Sequence, residues 1–232
     1  MKPLSSLELM REQVRALFTL SDAGKLQLIN DTAAEGRTPA PRFFLGRTRE
    51  GNIWHVRHDL SAERAGELDA LCRTEPPLSD GPPNIADAVR DLLPDSEEWR
   101  GPAYVLLERH SATARAVMVT SENAEALEAF PYTRGQILAG AAGPVAAVLV
   151  GGQAVSVCFC SRLTPTAAEA GLHTLEDFRG HGYALAAAAL WAELVRHSGR
   201  LALYSTSWEN VASQAVARKL NAVMYGEDWS VG

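Results

Sequence analysis

Thr174-Leu175-Glu176-Asp177-Phe178-Arg179-Gly180-His181-Gly182-Tyr183-Ala184 joins a strand-like segment to an alanine-rich helix through a turn that holds two glycines. Glycine lacks the Cβ that would keep an anion off the backbone. The first turn of a helix offers N–H groups with no partner inside the helix, together with the positive end of its dipole. The stretch therefore reads as a cradle for a phosphorylated cofactor. The helix itself, Tyr183 to His197 (YALAAAALWAELVRH), is built from strong helix formers and stops at Ser198-Gly199 beyond a basic last turn. A Walker A loop would end in Gly-Lys-Ser/Thr, which is missing from this turn. A dinucleotide fingerprint would need three glycines in G-x-G-x-x-G order, and the sequence has G-x-G-x-A.

The neighbours extend the motif. Arg179, Gly182 and Ala184 fit Arg/Gln-x-x-Gly-x-Gly/Ala, and a strand-like LALYSTS (201–207) follows the helix. Trp208-Glu209-Asn210-Val211-Ala212-Ser213 and Val216-Ala217-Arg218-Lys219-Leu220 come next. Over roughly residues 114 to 232 the chain resembles the GNAT superfamily of acyl-CoA-dependent N-acetyltransferases. The approach strand Gly171 to Thr174 and the Ser-Trp-Glu-Asn element are similar to the branch that includes the zwittermicin A resistance acetyltransferases. The resemblance implies a mixed sheet whose fourth and fifth strands splay apart, with acetyl-CoA as co-substrate in the splay and no metal. It further implies that backbone groups of Thr174 and Leu175 pair with the pantetheine amides. N–H groups of Arg179, Gly180, His181, Gly182, Tyr183 and Ala184 would hold the pyrophosphate, and Asn210 and Ser213 would line the far side of the cleft.

Composition narrows the setting. The 232 residues are 47% hydrophobic and 22% charged, enough to bury a real core in one large or two small domains. The apolar runs fall short of the roughly 18 residues of a membrane span, and the amino terminus has no basic-then-apolar signal pattern. A cytoplasmic protein without a membrane partner is expected. A net charge of -6 with no basic stripe argues against a nucleic-acid partner and mildly favours cationic acceptors. Cys158 and Cys160 lie two apart in a strand-like run, pointing the same way, and Cys72 falls in a helix-like segment; all three read as reduced, buried thiols. A homodimer would be unremarkable for the superfamily.

The chain divides near His110 into an N-terminal α+β companion, residues 1–110, and a GNAT-like unit, residues 111–232. The first part reads as a helix Leu7 to Phe18 after Ser5-Ser6, then a hairpin of 42–48 and 53–58 across Glu50-Gly51-Asn52. Two helices follow, Ala62 to Cys72 and Asn84 to Leu93, and then a strand from Ala103. The second part reads as a strand Ala114 to Thr120, a helix Glu122 to Phe130 capped by Ser121, and a helix Arg134 to Ala142. Strands Ala146 to Val150, Ala154 to Arg162 and Ala168 to Leu175 lead into the turn. The fold class is α+β with a mixed sheet.

The reaction that the resemblance implies is direct attack of a small-molecule primary amine on the acetyl thioester in a ternary complex. The protein must orient the partners, take a proton from the amine and stabilise the oxyanion. By the period of two, Glu169, Gly171, His173 and Leu175 share one face of the strand before the turn, with room for a substrate at the glycine. Glu169 is the first candidate for general base and His173 the second. Family members commonly carry a tyrosine general acid on the second helix; that position here is Ala217, so the general acid is unassigned, with Tyr204, Ser213 or Tyr225 as alternatives to a thiolate that leaves unaided. A non-catalytic acyl-CoA-binding sensor module is the alternative function. His55 and His58, three apart in a strand-like run, point to opposite faces and do not form a metal pair.

Overall fold

The computed structural model describes residues 4–30, 38–108, 115–141 and 143–232. Helix α1 (Ser6–Leu17) starts at a capping box, with Ser5 Oγ accepting from the Glu8 N–H and the Glu8 carboxylate accepting from the Ser5 N–H. A hairpin of β1 (Phe18–Leu20) and β2 (Leu26–Ile29) comes next, then β3 (Phe43–Thr48) and β4 (Gly51–Val56). Helices α2 (Ala62–Thr74) and α3 (Ala86–Leu92) lead to β5 (Glu98–Val105). The rest of the chain forms β6 (Ala116–Met118), a 3-10 turn Ala124–Leu127, α4 (Pro131–Leu138), β7 (Ala146–Val150), β8 (Gln153–Leu163) and β9 (Ala167–Thr174). A second 3-10 turn, Glu176–Phe178, precedes α5 (Tyr183–His197), β10 (Leu201–Ser205), α6 (Val211–Lys219) and β11 (Val223–Val231).

Nine strands make one sheet in the order β4-β3-β11-β5-β10-β9-β8-β7-β6, with β9 and β10 parallel and every other neighbouring pair antiparallel. Residue 110 lies outside the described residues, yet the sheet runs across that division: β5 is bonded to β10 on one side and β11 on the other. The alternation along β5 sorts the two faces. Tyr104 packs with α5 and α6, among Ala187, Ala188, Trp191, Val195 and Ala217. Ala103 and Val105 pack with α1, against Met10, Val14, Phe44 and Leu203. Trp191 is fully buried; removing its roughly 150–250 Å² from water contributes on the order of 4–6 kcal/mol before the entropy of ordering it. The alanines around it let α5 lie close on the sheet.

Three local differences from the sequence reading have physical causes. Residues 122–130 form only the short 3-10 turn, because Phe130 precedes a proline and is pushed out of the α region (φ -127°, ψ 63°), while Pro131 takes the first position of α4. Asn123, not Ser121, stands at the N-terminus of that turn without a side-chain cap bond, its Oδ1 accepting instead from the preceding Thr120 N–H at 2.7 Å. Ala114 and Ala142, the ends of two expected elements, lie outside the described residues. Strand β5 starts five residues earlier than Ala103 because Gly101-Pro102, which reads as a break, is a crossing point: the Pro102 carbonyl accepts from the Thr206 N–H. A Cβ on Gly101 would lie 1.7 Å from the Thr206 carbonyl oxygen. Among the described residues no helix is long and apolar enough to cross a membrane.

Candidate active site

The parallel pairing of β9 with β10 covers three residues, Ala167, Ala168 and Glu169 against Leu201, Ala202 and Leu203. Beyond Glu169 the strands part, and β10 stays with β5 through Ser205↔Ala103. On the other edge of β9 the antiparallel register with β8 continues to Thr174. The Leu175 N–H donates to the Val155 carbonyl at 2.9 Å, so by alternation the N–H groups of residues 170, 172 and 174 face the gap. The Thr174 N–H therefore points into the split and away from β8. Leu175 has its N–H committed to Val155 and its carbonyl accepting from Phe178 N–H.

At the wide end of the split the turn has the form that the glycines suggest. Gly180 and Gly182 both have positive φ, 82° and 79°, and a Cβ at either would point into open space. Gly182 is the N-cap of α5 and no side chain caps that terminus, which leaves the first-turn N–H groups of Tyr183 and Ala184 facing outward. The imidazole of His181 stacks on the Tyr183 ring at 5.5 Å and its Nδ1–H donates to the Arg179 carbonyl, which fixes the turn. Arg179 is exposed. Backbone donors, a helix dipole and an arginine together fit a pyrophosphate.

The narrow end is a buried polar cluster on the α1 face. Glu169 is 4% exposed; its Oε1 accepts from both the N–H and the hydroxyl of Ser205, each at 2.7 Å. Burial pushes its carboxyl up to about 7, against the opposing pull of the Ser205 hydrogen bonds and the Arg162 charge. Asp228 of β11 is fully buried nearby, and burial together with the Glu169 charge pushes its carboxyl well above the usual range. Gln13 of α1 donates from Nε2 to Asp228 Oδ2 at 2.8 Å and accepts at Oε1 from the Tyr225 hydroxyl. A cavity of about 720 Å³ opens onto this cluster, with Ser205, Arg162 and Asp228 in its wall and Glu169 one layer behind Ser205. Sequence reasoning passed over Ser205, Arg162 and Asp228. The only signal available was a serine two residues past an inward-facing Leu203, which by alternation shares its face with the carboxylate on the paired strand.

The other candidates fall elsewhere. His173 is exposed, with its ring edge-on to Phe130 at 5.7 Å, and it lies four residues, about 13 Å, along the strand from Glu169. The space expected over Gly171 is filled by Phe159, whose ring would lie 2.6 Å from a Cβ at that position. Asn210 is the N-cap of α6, with Oδ1 accepting from the Ser213 N–H, and Ser213 Oγ lies 2.6 Å from the Tyr204 hydroxyl. Tyr204 is itself buried and its phenol is pushed up to about 12 by that burial. Ala217 is buried against α5, and the Tyr225 hydroxyl is spent on Gln13. Trp208 donates its indole N–H to Glu227 at 2.6 Å and walls a separate cavity of about 590 Å³. His55 and His58 each sit on a backbone carbonyl of the β1–β2 region, of Gly24 and Leu26, and all three cysteines are free and buried.

Comparison with solved structures identifies the architecture. A GCN5-related N-acetyltransferase-like protein from Streptococcus suis 89/1591 superposes with a TM-score of 0.50 over 83% of this chain and 85% of its own, at 16% identity. The fold is that of the GCN5-related N-acetyltransferases. A tandem GNAT protein from the clavulanic acid biosynthesis pathway matches 86% of this chain and 80% of its own, with a TM-score of 0.47 and 14% identity. A putative GNAT-family acetyltransferase from Novosphingobium aromaticivorans covers 60% and 67% respectively, with a TM-score of 0.46 and 13% identity. No protein-family model matches the sequence, and no curated relative is detected. Within the GNAT fold the parting of β9 from β10 is the expected splay, and the strand between β10 and β11 is β5, supplied from the first half of the chain.

Proposed function

We propose that the chain is an N-acetyltransferase that moves an acetyl group from acetyl-CoA to a primary amine of a small molecule by direct attack in a ternary complex. The observation that carries the reading is the pairing, at two ends of one split, of an open backbone cradle (Arg179 to Ala184) with a buried carboxylate (Glu169). The cradle fits the pyrophosphate, and the β9 edge at Thr174 fits the pantetheine arm. Acetyl-CoA supplies the acyl group as a thioester, whose thiolate, with a thiol pKa near about 8.5, is a tolerable leaving group without a dedicated acid.

The chain's own residues handle the amine. A carboxyl held at about 7 changes protonation around neutrality, which suits a general base at that pH. Glu169 is reached from the cavity through Ser205: the serine hydroxyl donates to Glu169 and its oxygen is free to accept an N–H from the amine. A proton taken at Ser205 Oγ passes on to Glu169 Oε1. Arg162, which lines the same wall, lowers the carboxyl towards neutrality.

Calorimetric titration with acetyl-CoA tests the reading, with dephospho-CoA and pantetheine as controls. Binding should persist with dephospho-CoA and collapse with pantetheine, which lacks the pyrophosphate. Screening amines should then yield acetyl transfer. Binding without transfer to any amine would favour a sensor module, for which Ala217 in place of the family's tyrosine is the motivating feature.

A further inference from the structure

The cavity at the narrow end has two unlike walls. Leu17, Phe18 and Ile29, from the end of α1 and the β1–β2 hairpin, give it an apolar side. Opposite them stand Ser205, Arg162 and Asp228. Of the other charged groups in the lining, Arg57 is held by Asp59 and the Ala40 carbonyl, Glu98 by Arg90 and the Trp229 indole, Arg162 donates to the Ser161 carbonyl, and Glu97 is exposed to solvent. Asp228 is different. Its Oδ2 receives Gln13, but its Oδ1 is buried and without a hydrogen-bond partner among the described residues. The Tyr225 hydroxyl holds Gln13 Oε1, so the amide cannot turn to serve the second oxygen.

We infer that Asp228 holds the ammonium group of the acceptor, in a cavity that takes a primary amine carried on an apolar body. A buried carboxylate oxygen left unpaired is costly, and an alkylammonium restores what is missing, with three N–H donors and a full charge. A neutral alcohol offers one donor and no charge. A carboxylate would set like charges together at Asp228. Burial and the neighbouring Glu169 hold a proton on Asp228, and an ammonium at Oδ1 would take that proton's place, its charge meeting the carboxylate as the proton leaves. The apolar wall then covers the carbon chain and removes it from water. The ammonium would sit beside Ser205, where the proposed reaction removes its proton. The inference rests on that reaction only for the word acceptor; the binding of the amine stands by itself.

The test titrates the full chain with hexylamine, hexanol and hexanoate at pH 7.5 by calorimetry. Hexylamine should bind saturably, and the other two at least tenfold more weakly. Asp228→Asn keeps the acceptor oxygen for Gln13 and removes the charge; it should weaken hexylamine at least tenfold and leave acetyl-CoA affinity within twofold. Hexanoate binding as tightly as hexylamine would overturn the inference, as would a folded Asp228→Asn protein with undiminished hexylamine affinity. The three-ligand comparison needs no variant, so it decides even if Asp228→Asn does not fold. Hexylamine binding without acetyl-CoA binding would leave this site standing and remove the transferase reading, whereas acetyl transfer that is indifferent to Asp228→Asn would do the reverse.

Discussion

At the wide end of the β9–β10 split, Gly180 and Gly182 hold bare backbone out to solvent; at the narrow end, Glu169 and Asp228 are almost wholly withdrawn from it. The first site works by what its residues lack. A Cβ is absent, a side-chain cap is absent, and the donors are main-chain groups that any sequence with the same dihedrals would offer. The second works by what its side chains add, since carboxylates at 169 and 228 are tuned by a serine at 205 and an amide at 13. The two ends should therefore respond oppositely to mutation: the wide end to added bulk, the narrow end to lost groups.

The largest effect is expected at the wide end. Gly182→Trp forces a side chain into a left-handed backbone, at about 1–2 kcal/mol, and fills the space the pyrophosphate needs. Acetyl-CoA binding should fall below calorimetric detection while the far-ultraviolet circular dichroism is kept. A folded variant with parental affinity would break the assignment of the cradle.

At the narrow end Glu169→Gln keeps the shape and removes the base. Turnover should fall by about 10²–10⁴-fold, the usual range for a lost general base, with acetyl-CoA affinity unchanged. The same variant has a second signature. Because the folded carboxyl stands at about 7 against a reference of 4.5, the native state binds more protons than the unfolded chain between those values. Stability should thus decline as pH rises from 4.5 through 7, by on the order of 3 kcal/mol from this group. Urea unfolding should show the glutamine variant more stable than its parent at pH 8 and close to it at pH 5. A parent with no such pH dependence would mean that Glu169 is not held neutral by burial.

Ser205→Ala separates relay from support. It removes the hydroxyl that stands between cavity and carboxylate but spares the Ser205 N–H bond. Hydrogen bonds to a charged group are worth about 1.5–3 kcal/mol, so turnover should drop about ten- to hundredfold. Losing a donor to the ionised form should also move the acid limb of the pH–rate profile upward. An unchanged profile would mean that the amine reaches Glu169 without Ser205.

The contrast also explains what could be read in the sequence. The turn is contiguous: its two glycines, the arginine and the start of α5 lie within six residues, so local turn and helix rules suffice to predict its backbone form. Strand β9 and helix α5 were equally legible from their periods. The narrow end is assembled from residues 13, 162, 169, 205, 225 and 228, which share no local pattern. Glu169 was found because alternation put it on a face. Its partners were not, because pairing of β10 with β9 and burial under α1 are tertiary facts. Gly171 shows the converse error: a glycine that looks like space for a ligand is space for Phe159. Pro131 and Pro102 account for two local differences, the first opening α4 three residues before the expected Arg134, the second sitting inside a strand at the point where β5 meets the end of β10.

His173 gives the smallest and sharpest test, because it shares a strand face with Glu169 and differs only in surroundings. Alternation makes the two equivalent candidates. Burial does not: the imidazole is exposed and its recorded neighbour is the edge of Phe130. A solvated ring about 13 Å along the strand cannot take the proton that Glu169 takes through Ser205. His173→Ala should change turnover by less than about threefold, below the range for a lost base, and should lower stability only by about 0.5–1.5 kcal/mol for the aromatic pair. A hundredfold loss of turnover with intact stability would reverse the assignment, moving the base to the exposed end of β9 and leaving the buried pair of acids with a binding role alone.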